Sequence, residues 1–336
     1  MSVTVTPDAI LKQLAELWVT LGKPAEGGAG VLRACAMTLI SVCDQDDDFQ
    51  ALGETVAALM PDYPARSILV RLGFGEPAGM EARVYSQCWM PFGQRRQICC
   101  EQVEIHASAE ELEDLAPLLL PLCAPDLPVI VWAKSGRAAL LPAFAPVAAL
   151  ASKAIVDSAT MGSPRQSLEW LGAAAARGIL PGDLAWTRLS RWREMLARLF
   201  DNRETLARLP EIRRVRVVCA PPAPSSAAFY MGAWLAASLR RAGVEAETVF
   251  DSDPAAPAGE IARITLSGAE GGFAIGLDAH GDVLTASAAG VSSCVMLPHP
   301  ADHLLLREEI AIQREDPIFN EALPTAWAFA VSSGVK

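Results

Sequence analysis

Histidine is scarce in this chain, four in 336 residues, and none stands in a pattern that makes a catalytic or metal site. His299 and His303 are four apart, but Pro300 lies between them, so His299 is expected to precede the helix that His303 joins. Also missing are the G-x-G-x-x-G of dinucleotide sites, the G-x-S-x-G of hydrolases, H-E-x-x-H and C-x-x-C. Nothing assembles a nucleophile, a base and an oxyanion hole, so no catalytic, cofactor-binding or metal-ligating residue is expected. Positive charge is in deficit: 28 Lys and Arg stand against 39 Asp and Glu, a net −11, which disfavours a general nucleic-acid binder. No run reaches about 18 apolar residues, so no membrane span is expected. The first residues lack a basic stretch leading into an apolar one, and the chain is read as cytoplasmic. Eight cysteines show no regular spacing with one another or with histidine. They read as reduced, small core residues whose oxidation state should not matter to function. Cys99 and Cys100 are adjacent and in a strand would point to opposite faces.

What is present is apolar: 51% of the residues, enough for a core in each of two domains, read as 1–180 and 181–336. The fold class is α/β, with α+β character in the second half, each domain a mixed β-sheet flanked by helices. Helices are expected over 7–21, 49–60, 110–121, 163–176, 225–242, 301–314 and 318–329. Strands are expected over 31–42, 66–72, 80–90, 95–106, 129–132, 153–156, 215–219, 244–250, 261–266, 273–277 and 283–288. Asp44, Asp46, Asp47 and Asp48 fall at a strand-to-helix turn, where carboxylates cap orphan N–H groups; no calcium-loop spacing accompanies them. Glu101 shares a strand face with Val103 and needs a partner, for which Arg83 or Arg95 is the expectation. Lys134 and Arg137 leave the end of the apolar strand 129–132, and Asp157 with Ser158 leaves the end of 153–156. Open α/β sheets place ligands at that edge, so these four form a candidate ligand site, with Lys134–Asp157 ion pairing as the alternative.

Asp183 to Asp201 reads as one amphipathic helix capped by Asp183, with an apolar arc of Leu189, Trp192, Leu196, Leu199 and Phe200. Arg188, Arg191 and Arg198 form a stripe beside it, with Arg193 on the far edge. From 188 to 216 nine Arg face four acids, a local positive field that suits a carboxylate- or phosphate-bearing partner. Trp186, Arg188, Arg191, Trp192 and Arg198 are therefore the candidate partner-binding residues, against the alternative of a core helix with a solvated face.

With those residues in view the chain resembles the OpcA family, the glucose-6-phosphate dehydrogenase assembly protein. The likeness is carried by Arg95 to Gln102, Leu120-Pro121, Pro125 to Val129, Ile155 to Ser158, and the string Asp-Leu-x-Trp-Thr-Arg-Leu-x-x-Trp-Arg from Asp183. The strand ending Trp132-Ala133 departs from the paired Trp of the family. The resemblance implies two α/β domains and a non-catalytic partner of glucose-6-phosphate dehydrogenase. Such a protein would promote assembly or allosteric activation at the entry to the oxidative pentose phosphate pathway. A sugar-phosphate-binding enzyme or sensor using Lys134, Arg137 and the arginine-rich segment is the alternative. A self-assembling protein is a third reading, and homo-oligomerisation is left open.

Overall fold

The computed structural model describes residues 5–22, 31–75, 77, 79–91, 93, 96–221, 224–255, 261–268, 274–280, 283–288, 291–297 and 299–334. The chain divides into two units: Met1–Thr160 with Ala174–Gly182, and Met161–Ala173 with Asp183–Lys336. Both are mixed α/β.

In the first unit Thr6 accepts the Ala9 N–H and Pro7 takes the first helical position, starting α1 (Pro7–Leu21) as expected. The apolar stretch 31–42 is not one strand. It gives a two-residue β1 (Leu32–Arg33) and then β2 (Met37–Asp44), buried at every residue as a central parallel strand should be. There follow α2 (Phe49–Leu59), β3 (Ala65–Gly73), β4 (Glu81–Trp89), β5 (Ile98–Ser108), α3 (Leu112–Leu119), β6 (Val129–Ala133), α4 (Gly136–Ala139), α5 (Ala145–Ala148) and β7 (Lys153–Val156), then α6 (Pro164–Ala176), most of which is assigned to the second unit, and β8 (Leu180–Asp183). β8 occupies the Gly- and Pro-containing stretch that sequence alone reads as a break. The sheet order is β1-β5-β3-β2-β6-β7-β8, with β4 antiparallel on β5. From β2 the chain steps one way through β3 to β5, then returns to the other side of β2 as β6 and β7, all parallel to it. The topological switch point therefore lies between β2 and β6.

Glu101, only 3% exposed, is not held by Arg83. Its Oε2 accepts Arg66 Nε at 2.6 Å and its Oε1 lies 2.7 Å from Arg33; the Trp18 indole N–H also donates to Oε1. The register explains the miss. Arg83 opposes Glu104, three residues from Glu101 and therefore on the opposite face of the sheet. Arg95 lies outside the described residues. One buried carboxylate thus ties α1, β1, β3 and β5 together. Arg66 also donates to the Leu122 carbonyl, so its own burial is compensated.

Cys88 and Cys99 oppose each other across β4 and β5 and are joined in a disulfide, which corrects the expectation that all eight cysteines are reduced. Each is unremarkable in sequence; only the register makes them neighbours.

The second unit contains α7 (Leu184–Arg188), α8 (Ser190–Leu199), α9 (Arg203–Ala207), β9 (Ile212–Cys219), α10 (Ser226–Arg241), β10 (Glu247–Ser252), β11 (Ile261–Gly268), β12 (Ala274–His280), β13 (Val283–Ala288), β14 (Val291–Met296), α11 (Asp302–Ala311) and α12 (Pro317–Ser332). Its sheet runs β10-β9-β11-β12-β13-β14, parallel between β10 and β9 and antiparallel elsewhere. Ile264, Leu266, Leu284 and Ala286 are buried at alternate positions of β11 and β13, so one face of this sheet makes the core. α10 approaches β10 so closely that a Cβ at Gly232 would stand 2.8 Å from the Phe250 ring. The segment 183–201 is two helices, because the chain turns at Leu189 (φ −79°, ψ −3°).

Candidate functional site

At the switch point of the first unit, the N–H groups of Lys134 and Ser135 both donate to the Val42 carbonyl, at 2.8 and 3.1 Å. The turn after β6 is thereby pinned to the end of β2. The buried Ser135 hydroxyl donates to Asp44 Oδ2 at 2.7 Å and accepts the Ala138 N–H, capping α4. Gln45 reaches across to Phe74, accepting its N–H and donating to its carbonyl. The Arg137 guanidinium lies 3.7 Å from the Phe74 ring centroid, and Lys134 Nζ lies 5.4 Å from that of Trp132. Asp157 and Ser158, both buried, follow β7 on the same edge, and Asp157 Oδ1 accepts the Ala159 N–H. The four sheet-edge candidates therefore do follow neighbouring parallel strands, and Arg137 is the exposed one.

The acidic turn behaves as a capping turn. Asp48 accepts the N–H groups of Gln50 and Ala51 at the start of α2, Asp44 accepts that of Asp46, and Asp47 accepts that of Asp44. A dinucleotide sheet presents glycines and bare N–H groups to a pyrophosphate at the turn after its first strand. Here those donors are taken by the chain's own carboxylates, whose charge would repel a phosphate, so the turn does not fit that cofactor. The same acids act on Cys43, whose thiol is pushed up to about 12 by burial and by Asp47 and Asp44. Among the described residues no group of three or more His, Cys, Asp or Glu is placed to hold a metal, and no helix is long and apolar enough to cross a membrane.

In the second unit the Trp/Arg string turns mostly inward. Asp183, with no exposure, accepts the Ala185 N–H on one oxygen and the Tyr230 hydroxyl, at 2.8 Å, on the other. Burial and the Asp183 carboxylate together hold the Tyr230 phenol well above its ordinary pKa. Thr187 Oγ1 lies 2.6 Å from Glu309 Oε1 and 3.1 Å from the Asp183 carbonyl oxygen. Trp186 packs against Tyr230 and Phe319, centroids 5.6 and 5.5 Å away. Arg193 lies over its ring at 3.7 Å and donates to its carbonyl oxygen. Burial lowers the Arg193 pKa to about 10, against the opposing pull of Asp316, Glu309 and Glu308. Trp186 and Trp192 are 3% and 5% exposed, so they present almost no surface from which to anchor a partner. Arg193, placed by sequence on a far edge, is the arginine that joins the core, because the turn at Leu189 rotates α8 relative to α7.

Of the expected cationic stripe, Arg191 and Arg198 are 57% and 61% exposed, each paired to Glu194 on the same helix at 3.4 and 2.5 Å. Arg188 is half-buried. Further along, Arg208 pairs with Glu211 at 3.2 Å, Arg214 with Glu247 at 3.0 Å, and Arg216 with Asp251. The positive field of 188–216 is thus largely met by neighbouring acids. The β10 carboxylates that neutralise β9 lie more than thirty residues away in sequence.

Two family models match the chain, the glucose-6-phosphate dehydrogenase subunit N-terminal domain over residues 56–173 and the corresponding C-terminal domain over residues 181–323. The OxPP cycle protein OpcA of Nostoc punctiforme is 31% identical over 179 residues, 52% of this chain and 38% of that protein. Its namesake from Synechocystis is 27% identical over 214 residues, 63% of this chain and 44% of that protein. The matched segments therefore span less than half the length of these relatives. Among solved structures, the 3-ketoreductase KijD10 from Actinomadura kijaniata, in complex with NADP and TDP-benzene, covers 88% of this chain and 97% of its own. It does so at 11% identity and a TM-score of 0.46, too low to carry an argument.

Proposed function

The chain belongs to the OpcA family, and from that membership we propose that it is a non-catalytic partner of glucose-6-phosphate dehydrogenase. In this reading it promotes the assembly or activity of that enzyme and so regulates entry into the oxidative pentose phosphate pathway. The observation that carries the proposal is the match of both halves of the chain to domains named for a subunit of that dehydrogenase. The chemistry of the switch point supports it, since the turn that would seat a cofactor phosphate is filled by Asp44, Asp47 and Asp48. The cationic contribution to docking falls to Arg191 and Arg198, the stripe residues that face solvent. Mixing the purified chain with its cognate dehydrogenase tests this. A complex of defined mass and an altered substrate-saturation curve are expected; two unassociated species with unchanged kinetics would refute it.

The sugar-phosphate reading rests on one observation, the exposed Arg137 at the switch-point edge beside Lys134. Against it stand the neighbouring carboxylates. Titration calorimetry with glucose 6-phosphate separates the two, because saturable binding lost in Arg137→Ala favours the sensor and flat heats favour the partner protein.

A further inference from the structure

Exposed arginines of the second unit meet carboxylates of their own: Arg214 meets Glu247, Arg216 meets Asp251 and Arg241 meets Glu321. On α8 two guanidinium groups share one carboxylate. Glu194 holds Arg191 at 3.4 Å through Oε2 and Arg198 at 2.5 Å through Oε1. Each arginine uses a single nitrogen in that contact, whereas a guanidinium carries five N–H donors. The triad therefore keeps a net positive charge and unspent donors on an exposed face. Helix geometry and burial make it a fixed platform. Arg191 and Arg198 are seven positions apart, so they stand about 10 Å apart along the axis and within about 20° of one another around it. The other side of α8 is anchored, because Trp192, Met195 and Leu196 are buried and the helix packs against β13. Arg193 fixes its start by stacking on Trp186 and donating to that residue's carbonyl oxygen. The exposed residue between Glu194 and Arg198 is Ala197, whose methyl group leaves the approach open.

We propose that Arg191 and Arg198 dock an acidic segment of a partner protein, two carboxylates about 10 Å apart, and that Glu194 is the resident competitor this segment displaces. The proposal rests on the reading of the chain as a partner of glucose-6-phosphate dehydrogenase, and it names the chemistry of the surface that enzyme presents. Charge complementarity selects the occupant. With 39 Asp and Glu against 28 Lys and Arg, the chain as a whole repels an acidic segment. On this face arginines outnumber carboxylates two to one, so its approach is favoured here. Hydrogen-bond geometry favours the exchange. A guanidinium meets a well-placed carboxylate through two parallel N–H···O bonds, and neither contact with Glu194 is of that kind. The role given to Glu194 has an unusual sign. A residue that merely supports the docking face weakens binding when it is removed, whereas a competitor strengthens it.

The experiment titrates the full chain with its cognate dehydrogenase by calorimetry at low and high salt. A second arm follows, by fluorescence anisotropy, a labelled helical peptide that carries two glutamates seven residues apart. Glu194→Gln should tighten the dehydrogenase complex by about threefold or more, because an exposed ion pair is a weak competitor, and the gain should shrink at high salt. In a chain that also carries Arg191→Gln and Arg198→Gln, binding should weaken and the gain from Glu194→Gln should vanish. Melting midpoints should hold in all three variants, since the changes are on the surface. A complex that Glu194→Gln leaves unchanged or weakens overturns the proposal while the partner reading stands. Where no dehydrogenase complex forms, the partner reading fails and the peptide decides. Peptide binding tightened by Glu194→Gln and lost without the two arginines upholds the acidic docking site, and no peptide binding overturns it. Self-association that depends on the same arginines assigns the face to a second copy and likewise overturns it.

Discussion

Tyr230 shows how much one side chain does in the second unit. Its hydroxyl supplies a hydrogen bond to a carboxylate with no exposure, and its ring closes a triangle with Trp186 and Phe319. Hydrogen bonds to charged groups contribute about 1.5–3 kcal/mol, so Tyr230→Phe should lower unfolding stability at neutral pH by about that amount. The pH dependence has a definite sign. The folded state keeps the phenol protonated above the pH near 10 at which an unfolded tyrosine ionises, so this contribution is complete below about pH 10 and falls as pH rises further. Arg193 works oppositely, because its folded pKa is depressed to about 10 and losing the proton relieves a buried charge. The gap between wild type and variant isolates the tyrosine; it should narrow in denaturant titrations above about pH 10. A constant gap would disconnect the phenol from stability. At the same scale, thiol titration of the unfolded chain without reductant should count six, the free cysteines, and reduction should release the Cys88–Cys99 pair. Eight thiols before reduction would remove the bond. In the native state exposed Cys294 should react first, since burial pushes the Cys43 and Cys100 thiols up to about 12 and 11.

Between elements, the tightest constraint is at Gly232, where α10 meets β10. An alanine there adds helix propensity worth at most about 1 kcal/mol. Its methyl group, however, would press on the Phe250 ring, which is held by edge contacts with Phe229 and Phe329 at 5.0 and 5.3 Å. Overpacking of this kind costs about 1–3 kcal/mol, so Gly232→Ala should lower the unfolding midpoint despite the better helix former. An unchanged midpoint would mean that the aromatic cluster yields. The two-helix form of 183–201 also changes how its arginines are to be tested. Arg193 and the two tryptophans belong to the core, and replacing them confounds folding with binding. Arg191→Gln with Arg198→Gln removes two exposed charges whose pairs with Glu194 contribute little to stability. Melting should therefore be unaffected, while complex formation with the dehydrogenase should weaken about tenfold or more and lose part of its salt dependence. Binding identical to wild type across a salt titration would place the contact on another surface.

For the whole molecule, the first unit has the doubly wound topology of a ligand-binding sheet but offers carboxylates at its switch point. The isolated chain should accordingly show neither dehydrogenase nor lactonase turnover. Activity that co-purifies with the chain and vanishes on a point substitution within it would overturn the non-catalytic reading. The net −11 also bears on how the molecule meets others. Productive contacts with an acidic partner surface are expected at its exceptions, the exposed arginines of α8, and not over its general surface.

Much of this was settled by the chain's own chemistry. The Thr6-Pro7 start of α1, the capping role of the acidic turn, the mostly apolar and fully buried β2 and the alternation in β11 and β13 all follow from local rules of capping, burial and strand periodicity. The family string was likewise legible as a string, although its purpose was not. What the tertiary structure alone decided depends on register and on packing between distant segments. Cys88 meets Cys99 because consecutive strands align at one particular offset, and Glu101 meets Arg66 and Arg33, and Thr187 meets Glu309, because elements farther apart in sequence come together. In the sheet a one-residue slip would send Cys99 and Glu101 to the other face, and no local propensity encodes that offset. The turn at Leu189 belongs to the same class. The apolar period of 183–201 satisfies one long helix, and the break appears only where Trp186 and Arg193 must stack while Trp192, Met195 and Leu196 are buried in the core.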